Sequence, residues 1–135
     1  MASAKTLGLA ADDTPGMIRE VLRGFPFSAL TRFEAASGLG LKTLADLVGI
    51  PDRTLARRKT ANRLTTEESE RLLRVWSLFD KTVTLFEGDR AAAMTWLSTH
   101  KRALAAHTPL EYSKTEIGAR AVEDLIGRLE HGVFS

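Results

Sequence analysis

The sequence predicts an all-α fold, and three observations predict it. Apolar residues recur at three- and four-residue spacing in several segments. No stretch shows the strict alternation of a half-buried strand. Helix start and stop signals punctuate the chain at short intervals. The length, 135 residues, suits one domain or two small interlocked ones, and the apolar and charged fractions are those of an ordinary globular protein.

Residues 1–16 are small and polar and end at Thr14-Pro15-Gly16, so they read as a mobile lead-in. A short helix is expected over 17–24, with Ile18, Val21 and Leu22 on one side, broken by Phe25-Pro26-Phe27. Ser28 is the expected N-cap of a second helix closed by Gly38.

Residues 41–59, LKTLADLVGIPDRTLARRK, read as a helix-turn-helix. Ala45 is small where a second helix must cross closely, and Gly49 tolerates the left-handed backbone needed to leave the first helix. Ile50 plugs the corner. Pro51 and Asp52 suit a helix start, the carboxylate facing the positive end of the dipole. Leu55 is expected to point into a core with Leu44 and Val48. Arg53 and Arg57 then fall one turn apart on the outer face beside Ala56, flanked by Arg58, Lys59 and Arg63. Between 51 and 63 there are five basic residues against one acid, Asp52.

Two short helices and a turn occur in many folds, and a basic helix is often only a solvated face. DNA binding is favoured here because the packing positions and the charge bias coincide in one segment. Arg53 and Arg57 are the candidates for base edges, since bidentate arginine is the usual reader of guanine in the major groove. Arg58, Lys59 and Arg63 are candidates for phosphate, which positions without specifying. Arg58 stands where many such motifs carry an aliphatic residue.

Thr65 and Glu68 form a capping box that opens a long helix. Leu72, Trp76, Phe79, Val83 and Phe86 mark its apolar stripe, widened by Leu73 and Val75, and Gly88 stops it. The stripe is expected to be core, with part of it available as a dimer seam. Asp89 starts a shorter helix carrying Met94, Trp96 and Leu97. A loop over 100–107 follows. Thr108-Pro109-Leu110-Glu111 starts another short helix, with Thr as N-cap, Pro first and Glu third. A last helix over 114–128 places Ile117, Ala121, Val122, Leu125, Ile126 and Leu129 on one face, and Gly132 ends it.

Several function classes find no support. There is no cysteine, so disulfides and thiol chemistry are excluded. His100, His107 and His131 are scattered, without the spacing of a helical metal pair. Gly38-Leu39-Gly40 is not followed by the lysine and hydroxyl of a phosphate loop. No catalytic constellation, metal site or cofactor is expected. No apolar run is long enough to span a bilayer, and 1–16 lacks a signal-peptide apolar core, so a cytoplasmic protein is the expectation. The formal net charge is only +2, which makes the basic patch local.

From about Leu64 onward the sequence resembles the C-terminal domain of the Xre/MbcA/ParS-type antitoxins. RLTTEESERLLRVWSLFDKTVTLFEG is similar to their "RLSPEESERLLRL…A.ELFG" helix. AAAMTWLSTHKRALAAHTPLEYSKTEIGARAVEDLIGRLEHGVFS is similar to their "A..WL..PN.ALGG.TPLELL.TE.G...VE.LLGRIEHGV.S" ending. Two departures stand out: Lys101-Arg102 stands where the family usually has Asn-Pro, or Asn before another residue, and Ala105-Ala106 stands where it usually has Gly-Gly. A less sharp turn is expected there.

The resemblance implies an Xre-like helix-turn-helix bundle followed by a helical toxin-binding domain. It implies an antitoxin that binds and blocks a RES-domain toxin, an enzyme that consumes NAD⁺ or ADP-ribosylates proteins. It further implies a homodimer that binds its own operator DNA and forms a higher hetero-oligomer with the toxin. Toxin docking would fall on residues 116–135, with Arg120, Glu123, Asp124, Arg128 and Glu130 on the solvent side and Gly132, Val133, Phe134 and Ser135 as the tip. The expected boundaries are 1–16 lead-in, 17–63 DNA-binding and 64–135 toxin-binding. Two other classes stay open: a stand-alone repressor whose C-terminal domain only dimerises, and a helical adaptor with a non-toxin partner.

Overall fold

A computed structural model of the chain describes residues 4–10 and 13–132. Among them eight α-helices form and no strand, which meets the all-α expectation. The chain divides into two compact units, Met1–Leu73 and Arg74–Ser135, and the division falls inside one helix, α5.

The first unit opens with a 3-10 turn at Ala4–Leu7 that lies against α2. Leu7 and Leu9 are buried. The lead-in expected to be mobile is therefore folded over residues 4–10, held by two leucines too few to show a period. Helix α1, Thr14–Arg23, begins three residues before its expected start. Pro15 sits in its first turn, where its missing N–H leaves no bond unmade. Met17 and Val21 are buried, whereas Ile18 is 54% and Leu22 66% exposed, so the expected apolar side is split.

Helix α2, Phe27–Ser37, is capped by extended Pro26 and not by Ser28, which lies inside the first turn. Gly38 closes it in the left-handed conformation as expected. Helices α3, Leu41–Val48, and α4, Asp52–Ala61, follow. Phe25, Leu30, Phe33, Leu44, Ala45 and Val48 fill the core of this unit. Segment 23–25 is tied to 63–69: Leu64 N–H donates to Phe25 O (2.9 Å), and Phe25 N–H donates to Ser69 Oγ (2.8 Å).

Helix α5, Thr66–Leu85, starts at the expected capping box: Glu68 N–H donates to Thr65 Oγ1 (3.1 Å), and Thr65 N–H to Glu68 Oε1 (2.9 Å). The rings of Trp76 and Phe79 meet at a tilt of 39° with centroids 5.4 Å apart, and each residue is 2% exposed. Val83 and Phe86, further along the same stripe, are half-buried.

In the second unit, Asp89 caps α6, Arg90–Leu97, by accepting from Ala92 N–H (3.0 Å). Helix α7, Pro109–Tyr112, shows the full Thr108/Glu111 capping box. Helix α8, Glu116–Glu130, is capped by Thr115. Its Ala119, Val122 and Ile126 pack with Leu78 and Leu104, and Trp96, Tyr112 and Leu125 lie around them. Ile117 is 85% exposed and does not join the face expected for it, which narrows the buried stripe to 119, 122 and 126.

The loop over 100–107 is sharper than expected. Lys101 N–H donates to His107 O (3.0 Å), Ala106 N–H donates to Lys101 O (2.9 Å), and a 3-10 turn runs over Arg102–Leu104. Ala105 (φ 54°) and Ala106 (φ 67°) both take the left-handed backbone that glycine takes without cost. Alanine in place of glycine strains this turn without opening it.

Candidate functional site

The α3–α4 corner is built as the sequence suggests. Gly49 turns left-handed (φ 80°, ψ 30°) and caps α3. Ile50 N–H then reaches back to Ala45 O at 2.8 Å, with the Ile50 side chain buried beneath. Pro51 is extended and its carbonyl accepts the first bonds of α4 from Thr54 (2.9 Å) and Leu55 (3.1 Å). Thr54 is the buried residue of α4, and Leu55, expected to fill that role, is only half-buried. With 54, 55 and 58 turned inward, the outer stripe is Arg53, Ala56, Arg57 and Thr60, all exposed.

The flanking cations are not equivalent. Arg58 Nε donates to both carboxylate oxygens of Glu68 (2.9 and 3.2 Å), and the Glu68 residue is 5% exposed. This pair occupies the inward position where an aliphatic residue is common. Arg63 Nη1 donates to the carbonyls of Gly24 (2.8 Å) and Arg23 (3.3 Å). Two of the three residues expected to touch phosphate therefore hold α4 and its exit against their own unit. Lys59 stays exposed.

The expected docking residues Arg120, Glu123, Asp124, Arg128 and Glu130 on α8, and Gly132 just after it, are exposed. Arg120 pairs with Glu116 (3.1 Å), and Glu123 with Lys81 of α5 (3.4 Å). Glu123, Asp124, Gly127, Arg128 and His131 line a shallow open concavity. Val133, Phe134 and Ser135 lie outside the described residues. Where α7 meets α8, Gly118 has no room for a side chain: a Cβ there would overlap the Tyr112 carbonyl oxygen and lie 2.8 Å from its carbon. In the neighbouring loop the Lys101 ammonium sits 4.7 Å from the Trp96 ring centroid, and burial lowers its pKa below the ordinary lysine value. Hydrogen bonds from the Thr108 backbone and side chain hold the Glu111 carboxyl below the usual carboxylate range.

Among the described residues no group of three His, Cys, Asp or Glu side chains could hold a metal ion. No helix among them is long and apolar enough to cross a membrane.

A family model described as the antitoxin Xre-like helix-turn-helix domain matches residues 16–75. Another, described as the antitoxin Xre/MbcA/ParS C-terminal toxin-binding domain, matches residues 82–132. A protein named Antitoxin Xre from Yersinia enterocolitica is 39% identical over 132 residues, spanning 97% of this chain and 89% of the relative. The chain belongs to the Xre antitoxin family. A second Antitoxin Xre, from Photorhabdus laumondii, is 32% identical over 132 residues with the same two coverages.

The pairing of these two domains in one chain is that of a type II antitoxin. Within this family architecture, sequence reasoning located the helix-turn-helix and its outer arginines. It missed the inward roles of Arg58 and Arg63, whose partners lie 10 and 39 residues away. It also missed Gly118 and Gly127 as distinct kinds of position. The signal for Gly118 was in the sequence, a glycine in the first turn after the Thr115 cap, but not its reason.

Proposed function

We propose that the chain neutralises a RES-domain toxin through α8 and the residues after it, and as a homodimer represses its own operon through α4. RES-domain toxins consume NAD⁺ or transfer ADP-ribose to proteins, and the antitoxin covers the entrance to that active site. The observation that carries the reading is the joining, in one chain, of exposed Arg53 and Arg57 on α4 with a domain of the toxin-binding type. The RES assignment rests on the resemblance of residues 64–135.

In this reading Arg53 and Arg57 reach base edges in the major groove and Lys59 touches phosphate. Arg58 and Arg63 fix the pose of α4 and add positive potential. Two copies of α4 meet half-sites about one helical turn, roughly 34 Å, apart on a pseudo-palindromic operator. Arg120, Glu123, Asp124, Arg128, Glu130 and Gly132 belong to the toxin side, with Val133, Phe134 and Ser135 as its tip. A higher hetero-oligomer with the toxin couples the two activities.

The test uses the full chain, the DNA upstream of its gene and the toxin gene beside it. Arg53→Ala with Arg57→Ala is expected to weaken operator binding by about 10- to 100-fold per arginine at fixed salt, while rescue from the co-expressed toxin is kept. A normal footprint from the double variant would refute the readout assignment. Removing residues 132–135 is expected to abolish rescue, and a wild-type chain that never rescues would leave a stand-alone repressor as the better description.

A further inference from the structure

Two positions on α8 are worse for this chain on its own than the simplest alternative. Ile117 is 85% exposed although it lies on a helix whose opposite face is buried. Gly127 sits in the helix interior, where glycine is a poor helix former, yet nothing stands within 4 Å of where its Cβ would be. Gly118, in the same helix, shows what an internal reason for glycine looks like. Gly127 has none, and its missing side chain leaves the shallow concavity bordered by Asp124 and Arg128.

The geometry joins the two. At about 100° per residue, Asp124 and Arg128 fall roughly 20° to either side of Ile117, and Gly127 borders that stripe about 80° round the helix and about 15 Å along the axis from Ile117. The result is an apolar anchor at one end, a dent at the other and charge between. The exposed Glu116–Arg120 ion pair rims the anchor, as polar groups rim the apolar centre of a docking surface. Of the exposed large hydrophobics Ile18, Leu22 and Ile117, only Ile117 falls within residues 82–132, the segment matched as toxin-binding.

We propose that this outward face of α8 seats the toxin, Ile117 filling an apolar pocket on it and a toxin main-chain segment packing into the dent at Gly127. The inference rests on the toxin-docking reading above and adds its anchor points. Asp124, between them, faces a cation on the toxin.

The experiment immobilises the complex of tagged wild-type chain with the toxin encoded beside its gene. It then measures displacement by untagged full-length competitors. Ile117→Ser is expected to need at least tenfold more protein than wild type at an unchanged Tm. Gly127→Gln is expected to need at least tenfold more while its own Tm rises by about 2–4 °C. Stability and binding moving in opposite directions cannot come from a damaged fold. Displacement equal to wild type by both variants would overturn the inference and leave toxin docking standing. A lower Tm for Gly127→Gln would overturn the dent, because the glycine would then serve the chain's own packing. If the wild-type chain forms no complex, the docking reading fails and this inference fails with it.

Discussion

Gly118→Ala tests the packing of the second unit more directly than any other single change. The added methyl would overlap the Tyr112 carbonyl oxygen and stand 2.8 Å from its carbon and 3.1 Å from Thr115 Oγ1. Ordinary contact between carbon atoms begins near 3.5 Å, so the end of α7 must retreat by roughly 0.7 Å or more. The obstacle is backbone, which cannot rotate away as a long side chain can. Overpacking of this kind costs about 1–3 kcal/mol. Disturbing the Gly118 N–H bond to Thr115 Oγ1 (3.0 Å) adds about 1 kcal/mol. Against this, alanine gains at most about 1 kcal/mol in helix propensity. The net expectation is a loss of roughly 1–3 kcal/mol. Urea unfolding followed by far-ultraviolet circular dichroism measures it, with Gly127→Ala as the matched control. The control meets open space and is expected to gain about 0.5–1 kcal/mol. The same substitution nine residues apart in α8 should therefore move the midpoint in opposite directions. A Gly118→Ala midpoint at or above wild type would refute the claim that α7 and α8 meet through this glycine.

Three further outcomes are expected. Replacing Ala105 or Ala106 by glycine should stabilise the fold by about 0.5–1 kcal/mol each, read as a higher Tm, because relief of a left-handed alanine exceeds the added chain entropy; a fall in Tm for both would contradict the strain. Glu68→Gln keeps the acceptor for Thr65 N–H but removes the charge facing Arg58, whose side chain is 22% exposed; it should cost about 1–2 kcal/mol in urea unfolding. Glu111 titrates below its ordinary value of 4.5 because Thr108 hydrogen-bonds the carboxylate, so its stabilisation of α7 is complete above that pH. It is lost as pH falls through the depressed folded value, and Glu111→Gln should flatten this part of the acid limb in a pH series of thermal melts.

The fold was legible where its causes are local. Both capping boxes, Thr65/Glu68 and Thr108/Glu111, close within four residues, so donor and acceptor sit in one reading window. The Gly49-Ile50-Pro51-Asp52 corner is equally self-contained. What stayed hidden depends on elements far apart in sequence. Ser69 accepts from Phe25 across 44 residues. Leu7 and Leu9 become core only because α2 stands beside them. On α8 the period proposed a stripe beginning at Ile117, but a period cannot say where along a helix its neighbours stop. The packed cluster takes Ala119, Val122 and Ile126 and leaves Ile117 outside.

The candidate DNA surface shows the same limit in its charges. Counting cations over 51–63 treats all five as outward, since a sequence holds no partner for any of them. Arg58 and Arg63 find theirs in Glu68 and the Gly24 carbonyl, groups that exist only once α5 and the α1–α2 turn are in place. A buried carboxylate demands such a partner, because an uncompensated charge there would cost more than the pair gains. The two arginines thus tie α4 and its exit to their own unit, and on the DNA-binding reading proposed above that lowers the ordering cost of binding. What remains facing outward is a narrower set, Arg53, Arg57 and Lys59, and reading sequence requires that kind of surface: few side chains, held still, on a helix whose position its own unit has already fixed.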